Sequence, residues 1–266
     1  MDHRAAGRAT GPCHHGCVTA RLAAVPTERM HLVLMMVLTF STGIIDAVGY
    51  LGLDRVFTAN MTGNVVILGM GLVGAEDLPV LGPTVALVAF MGGAALGGRV
   101  LRRAAGPWTW LTTLLFVSVG VVCLGLSVVL LVADEATPPP LALSLPVTAV
   151  LGTAMGVQAA TARFVAVRDV TTVVVTSTLI GLAADSRLGS GRAVAEGGAG
   201  RRFLAVALIL VGAAAGAALL KVGVWVGLLV AGVLILLATG LGAWHGRVLA
   251  GSAVVVSSES PDIRPS

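Results

Sequence analysis

The sequence predicts an all-α protein: a polytopic membrane helix bundle of about six spans. It falls in two apparent inverted repeats of three helices, each with an extra broken or re-entrant helical segment. Three observations predict it. First, 56% of the 266 residues are hydrophobic and only 11% are charged, with a mean hydropathy of +0.97, whereas a soluble domain carries about a quarter charged residues. Second, six stretches reach the roughly 20 apolar residues that a bilayer core demands, five of them without a mid-span acid or base and one with a single acid. Third, the order of polar and small-residue features in the first half of the chain recurs in the second.

Residues 1–29 form a polar segment expected to be a disordered cytoplasmic tail. Cys13, His14, His15 and Cys17 fall there, a cluster without the second ligand pair that a metal site usually shows, so no metal is expected. The first apolar run is long, contains Asp46 and lacks a small-residue cleavage pattern, which argues against a cleavable signal. Met30 stands just before it as an alternative start.

The six runs are residues 32–53, 80–98, 111–132, 141–162, 203–220 and 224–244. They define one transmembrane domain over residues 30–247, in halves of about 30–133 and 141–247, followed by a tail, 248–266, expected to be disordered. The richness in Gly, Ala and Val suits closely packed helices. Cys123 lies within a run and reads as a small apolar packing residue.

Arginines set the expected topology. Arg21 and Arg29 precede the first run, Arg99, Arg102 and Arg103 follow the second, and Arg187, Arg192, Arg201 and Arg202 precede the fifth. These ends should be cytoplasmic, with both termini inside a bacterial plasma (inner) membrane. The net charge of +4 belongs to these loops, so it speaks of anionic lipid rather than nucleic acid as partner. Two further apolar stretches, 56–73 and 170–184, would raise the count to eight if both crossed. That would put the Arg99–Arg103 cluster outside, so both are expected to enter the membrane without crossing.

The repeat rests on particular residues. Thr42 and Gly43 open a tract that reaches Thr62, Gly63 and Asn64, and Met155 and Gly156 open one that reaches Thr176, Ser177 and Thr178. Later, Gly93 and Gly97 enclose the same small-residue pattern as Gly212 and Gly216, suited to close helix crossings. Three crossings return the chain on the opposite side, so tandem three-span units must be inverted. Inverted repeats with interrupted helices are a common design of secondary transporters.

Asp46 is the strongest pointer to chemistry, because an acid within a span costs about 2.5–3.5 kcal/mol to insert and usually faces a partner or a polar cavity. At helical spacing it shares a face with Thr39, Thr42, Gly43, Gly49 and Tyr50. It could bind a cation or exchange a proton; equally, it could be a structural acid bonded to helix ends or paired with Arg55 or Arg163. Asn60, Thr62, Gly63 and Asn64 follow in an apolar setting, where Asn and Thr cap helix ends and Gly permits close approach. Their candidate counterparts are Gln158, Thr176 and Thr178, with backbone bonding within the helix as the plainer role for the hydroxyls. No phosphate-cradling loop, no H-E-x-x-H and no Ser, His and acid set occurs, so neither enzymatic activity nor a cofactor is expected.

The run from Thr42 to Ala47, then Val56 and Phe57, then Met61 to Asn64 resembles the YoaK-type bacterial membrane proteins, a family classed as a domain of unknown function. Gly156 to Ala160 and Val173 to Thr178 are similar to its second-half pattern, with Ser177 where a glycine is usual. The resemblance covers about Met30 to Arg247 and implies a multi-spanning inner-membrane protein with no established substrate. Two functions are then expected: a secondary transporter or permease-like protein for a small solute or ion, coupled through Asp46, or a non-transporting membrane scaffold or stress-related interaction protein.

Overall fold

A computed structural model describes residues 26–106, 108–133, 139–165, 179–180, 183–184 and 199–258, with side chains as far as residue 248. Among these residues there are seven α-helices and no strand: α1 (Thr27–Gly52), α2 (Met61–Leu72), α3 (Leu81–Leu101), α4 (Trp110–Ala133), α5 (Leu141–Val165), α6 (Ala199–Leu219) and α7 (Val224–Ser258). All but α2 are long and apolar enough to cross a bilayer. The six runs read from composition thus appear as six helices, most a few residues longer at their ends. The last continues to Ser258, into the stretch expected to be a tail.

The helix α2 has 12 residues, about 18 Å at 1.5 Å per residue, well short of the roughly 30 Å of a hydrocarbon core. Residues 53–60 before it are not helical. The stretch 56–73 is therefore a short loop followed by a short helix, packed on α3. Its proposed counterpart at 170–184 lies almost wholly outside the described residues, as do Thr176, Thr178 and the Cys13 to Cys17 cluster.

The helix α1 is the hub. In its most apolar window 72% of the residues are buried, against 22% for α3 and 17% for α6, which stand at the periphery. Its apolar face contributes Leu34, Met35, Leu38, Ile44, Ile45 and Val48 to a core completed by Phe116, Leu151, Met155, Leu228 and Ile235. The main partnerships are α1 with α6, α3 with α5, and α4 with α7, joined by α1 with α7 and α4 with α5. Exchanging the first three long helices for the last three returns the same set of partnerships.

Glycines make the closest of these contacts, and they match in detail. A Cβ on Gly43 would fall 2.5 Å from the Ile209 carbonyl oxygen and 3.0 Å from the Ala213 nitrogen; one on Gly156 would overlap the Phe90 carbonyl oxygen and come 2.8 Å from the Ala94 nitrogen. Gly212 lies on the Phe40 carbonyl as Gly93 lies on that of Thr153. Gly216 meets Ile44 and Ala47 as Gly97 meets Val157 and Ala160. Gly120 of α4 faces Gly232 and Leu236, while Gly232 of α7 faces Gly120 and Leu124. Backbones approach this closely only where side chains are absent, which is how membrane helices gain packing without a hydrophobic drive between them.

The order of these contacts gives directions: α1 runs parallel to α6 and α3 to α5, while α7 runs antiparallel to both α1 and α4. Six alternating crossings satisfy every one of them. One end of the bundle then carries Arg29, Arg99, Arg102, Arg163, Arg201 and Arg247, with Arg201 paired to Glu28 at 3.4 Å. The opposite end carries Asp54, Arg55, Glu76, Asp77 and Lys221, where acids outnumber bases.

Candidate functional site

Two polar arrangements interrupt the apolar interior, and both are built on α1. The first joins the end of α1 to the start of α2. Asp46 lies half-buried, six residues from the end of α1, and its Oδ1 accepts the backbone N–H groups of Thr58 at 3.0 Å and Ala59 at 2.8 Å. The Thr58 hydroxyl and the Asn60 backbone N–H lie beside the same carboxylate. Gly49, three residues on, lets this happen: a Cβ there would fall 2.5 Å from the Val56 carbonyl oxygen. The bare helix surface accepts the returning chain, and the carboxylate holds its amides. A negative group just ahead of α2 also faces the positive end of that helix's dipole.

The asparagines complete the unit. Asn60 is the N-cap of α2, its side-chain oxygen accepting the Gly63 N–H at 3.3 Å. Asn64, fully buried, clamps one residue from both sides: its Oδ1 accepts the Phe57 N–H at 2.9 Å and its Nδ2 donates to the Phe57 carbonyl at 2.6 Å. The Phe57 ring fills the space a side chain at Gly63 would need, with a Cβ there falling 2.6 Å from it, and stacks on Tyr50 at 4.9 Å between centroids. Asp46, Tyr50, Asn60, Gly63 and Asn64 are thus one connected structure, whereas Thr62 lies on the exposed side of α2.

This wiring predicts that Asn64→Leu lowers stability by roughly 2–4 kcal/mol, because it strands the part-buried N–H and C=O of Phe57 together. Thermal melting in detergent checks it; a melting temperature within a degree of the parent contradicts the clamp.

The second arrangement is the crossing of α1 and α5. Gln158 of α5 is 1% exposed, and its Nε2 donates to the Thr42 Oγ1 at 3.1 Å. Thr42 in turn donates to the Leu38 carbonyl at 2.8 Å. Thr39 and Ser41 likewise bond back to Met35 and Leu38. Asp46 sits one helical turn beyond Thr42 and is not hydrogen bonded to Gln158. Nor does it pair with Arg55 or Arg163, both exposed; of the structural roles open to it, the bond to backbone at a helix entry is the one observed.

Composition and spacing miss a third feature, at the basic end. His31 of α1 stacks on Trp108 at 5.3 Å, and Trp108 occupies the space beside Gly242 of α7, near the buried His245. These residues lie far apart in the chain, and only the antiparallel α1 and α7 pairing would have brought them together on paper. An open groove of about 610 Å³ on the outer face of α3, lined by Gly92, Ala95, Leu96, Gly98, Arg99 and Arg102, touches none of the candidate residues. No group of three or more His, Cys, Asp or Glu side chains suited to a metal ion occurs among the described residues.

Comparison with known proteins adds two similarities. A family profile described as "Protein of unknown function (DUF1275)" matches residues 34–241. The UPF0700 transmembrane protein YoaK of Bacillus subtilis (strain 168) is 38% identical over 71 residues, 27% of this chain and 32% of that protein, so the match spans about a third of the relative. No solved structure matches.

Proposed function

We propose, from the premise that this chain belongs to the DUF1275 family of integral membrane proteins, that it is a permease-like secondary transporter for a small solute. In this reading it lies in a bacterial plasma membrane with both termini cytoplasmic, as two inverted three-span halves. The observation that carries the proposal is the equivalence of the helix contacts under exchange of halves, Gly43 on Ile209 and Ala213 answering Gly156 on Phe90 and Ala94. The same contacts set α1 parallel to α6 and α3 parallel to α5, as six alternating crossings require, and that alternation would set α1 antiparallel to α5, which supports inversion. The basic end that holds Arg99, Arg102 and Arg201 supports its assignment to the cytoplasm. Alternating access in such architectures comes from one half rocking on the other about a central site. Here the central crossing is that of α1 with α5, where Gln158 meets Thr42.

Asp46 is the coupling group in this proposal: an acid one turn from the crossing, attached to a short helix that does not span. Its carboxylate exchanges a proton or follows a cation as the loop at residues 56–60 shifts on α1. Proteoliposomes under an imposed proton gradient, challenged in turn with alkylamines, amino acids and sugars, should show proton flux with one solute class. Asp46→Asn should abolish that flux, because the amide keeps the acceptor oxygen and loses the titratable proton. Unchanged flux in that variant removes Asp46 from coupling.

One observation favours a second reading. The Asp46 carboxylate is engaged by backbone amides, which is what a purely structural staple looks like. A scaffold or stress-related interaction protein would show no solute-dependent flux in any variant, and Asp46 substitutions would alter stability alone. Neither reading assigns enzymatic activity or a cofactor.

A further inference from the structure

The hydrogen-bond logic at the α1 and α5 crossing fixes which way the Gln158 amide points. The Thr42 hydroxyl gives its proton to the Leu38 carbonyl, so toward Gln158 it can only accept. The group 3.1 Å away must therefore be the Nε2 donor. Oε1 then points into the interior, and among the described residues no donor reaches it, although the side chain is 99% buried. A lone buried acceptor carries a desolvation cost that native structures meet with a partner.

The surroundings say what kind of partner. The hydroxyl protons of the crossing are committed to their own helices, Thr39 to Met35, Ser41 to Leu38, Thr42 to Leu38 and Thr161 to Val157, and the Thr58 hydroxyl lies beside the Asp46 carboxylate. The polar face thus offers oxygen lone pairs and no spare proton. The ionisable group closest along α1 is a carboxyl, Asp46, and the described arginines and lysine stand at helix ends, most of them exposed. An anion has nothing to receive it here. Around the pair, Ile44, Ile45, Leu151 and Met155 are fully or almost fully buried, so the partner has few heavy atoms.

We infer that the crossing of α1 and α5 is a binding site for a small cation bearing N–H donors, ammonium or a primary alkylammonium, held by the Gln158 side-chain oxygen. This rests on the transport reading for its purpose, since it names the substrate class of the same central site, but the binding stands or falls alone. Gln158 accepts one N–H bond, the hydroxyl oxygens of α1 accept others, and the Asp46 carboxyl supplies the negative field. No covalent step is involved.

The test compares two cations of equal charge on the full chain in detergent. Methylammonium chloride, at about a hundredfold excess over its Kd, should raise the melting temperature by roughly 5 °C or more. Tetramethylammonium chloride at the same ionic strength, having no N–H, should leave it unchanged. Gln158→Met, of similar volume, should melt at or above the parent temperature and lose the methylammonium response entirely. No response in the parent, or an equal response to both cations, overturns the inference and leaves the acceptor to a buried water. The parent comparison decides even where the variant fails to fold. Methylammonium binding without flux in proteoliposomes keeps this site and removes the transport reading; flux of another solute class with no methylammonium response does the reverse.

Discussion

Gly93→Val and Gly156→Val should each prevent the bundle from assembling, whereas Gly98→Val, on the same helix as Gly93, should be tolerated. A Cβ at Gly93 would overlap the Thr153 backbone and one at Gly156 the Phe90 carbonyl, while one at Gly98 meets nothing within 4 Å. Overpacking a core costs about 1–3 kcal/mol when neighbouring side chains can shift. Here the obstacle is backbone in a rigid helix, so relief requires α3 and α5 to move apart, and the loss should exceed about 3 kcal/mol. Equivalent changes at Gly212 and Gly43 should act alike on the α1 and α6 pair. The measure is monodisperse yield and melting temperature after detergent extraction. Equal yields for Gly93→Val and Gly98→Val would refute the close approach on which the matched halves depend.

What was legible in the sequence follows from what a bilayer demands of each residue. Span number and rough limits could be read because hydrocarbon requires about 20 apolar residues whatever they pack against. The ends could not, because helices continue into the interface on residues such as Thr27, Glu28 and Arg29, where hydropathy no longer reports helicity. The short helix was legible as an apolar run interrupted by Asn60, Thr62, Gly63 and Asn64. Its start at Met61 needed the N-cap bond of Asn60 to be seen.

The partners were the hidden part. Asp46 stood out as an acid in a span, yet it holds the amides of Thr58 and Ala59, and backbone groups leave no trace in residue type. Arg55 and Arg163 were attractive partners on charge alone, but they stay exposed. Gln158 was visible as a polar residue in the second half; its bond to Thr42 depends on the rotation of two helices that are 116 residues apart in sequence at that point. His31, Trp108 and His245 had no local pattern at all. Small-residue motifs fared better because the contact is encoded in the residue itself: glycine at Gly93, Gly97, Gly212 and Gly216 marks where another backbone comes near.

The largest functional lesson should come from Asp46 read as a series. Asp46→Ala removes the acceptor for two backbone N–H groups at once, leaving the loop ahead of α2 tied to α1 by the Val56 contact at Gly49 and the Phe57 stack on Tyr50. Hydrogen bonds to a charged acceptor contribute about 1.5–3 kcal/mol each, so the expected loss is roughly 3–5 kcal/mol, with amide exchange at Thr58 and Ala59 accelerated first. Asp46→Asn keeps an oxygen in the same place and forfeits only the charge, so it should lose less than about half as much. The two substitutions therefore separate what one alone confounds. A chain in which Asp46→Asn melts close to the parent and still loses all solute-dependent proton flux needs the carboxyl for its proton. A chain in which Asn and Ala variants fall equally far has an acid that matters for its charge at the entry of α2, and the coupling role goes with it.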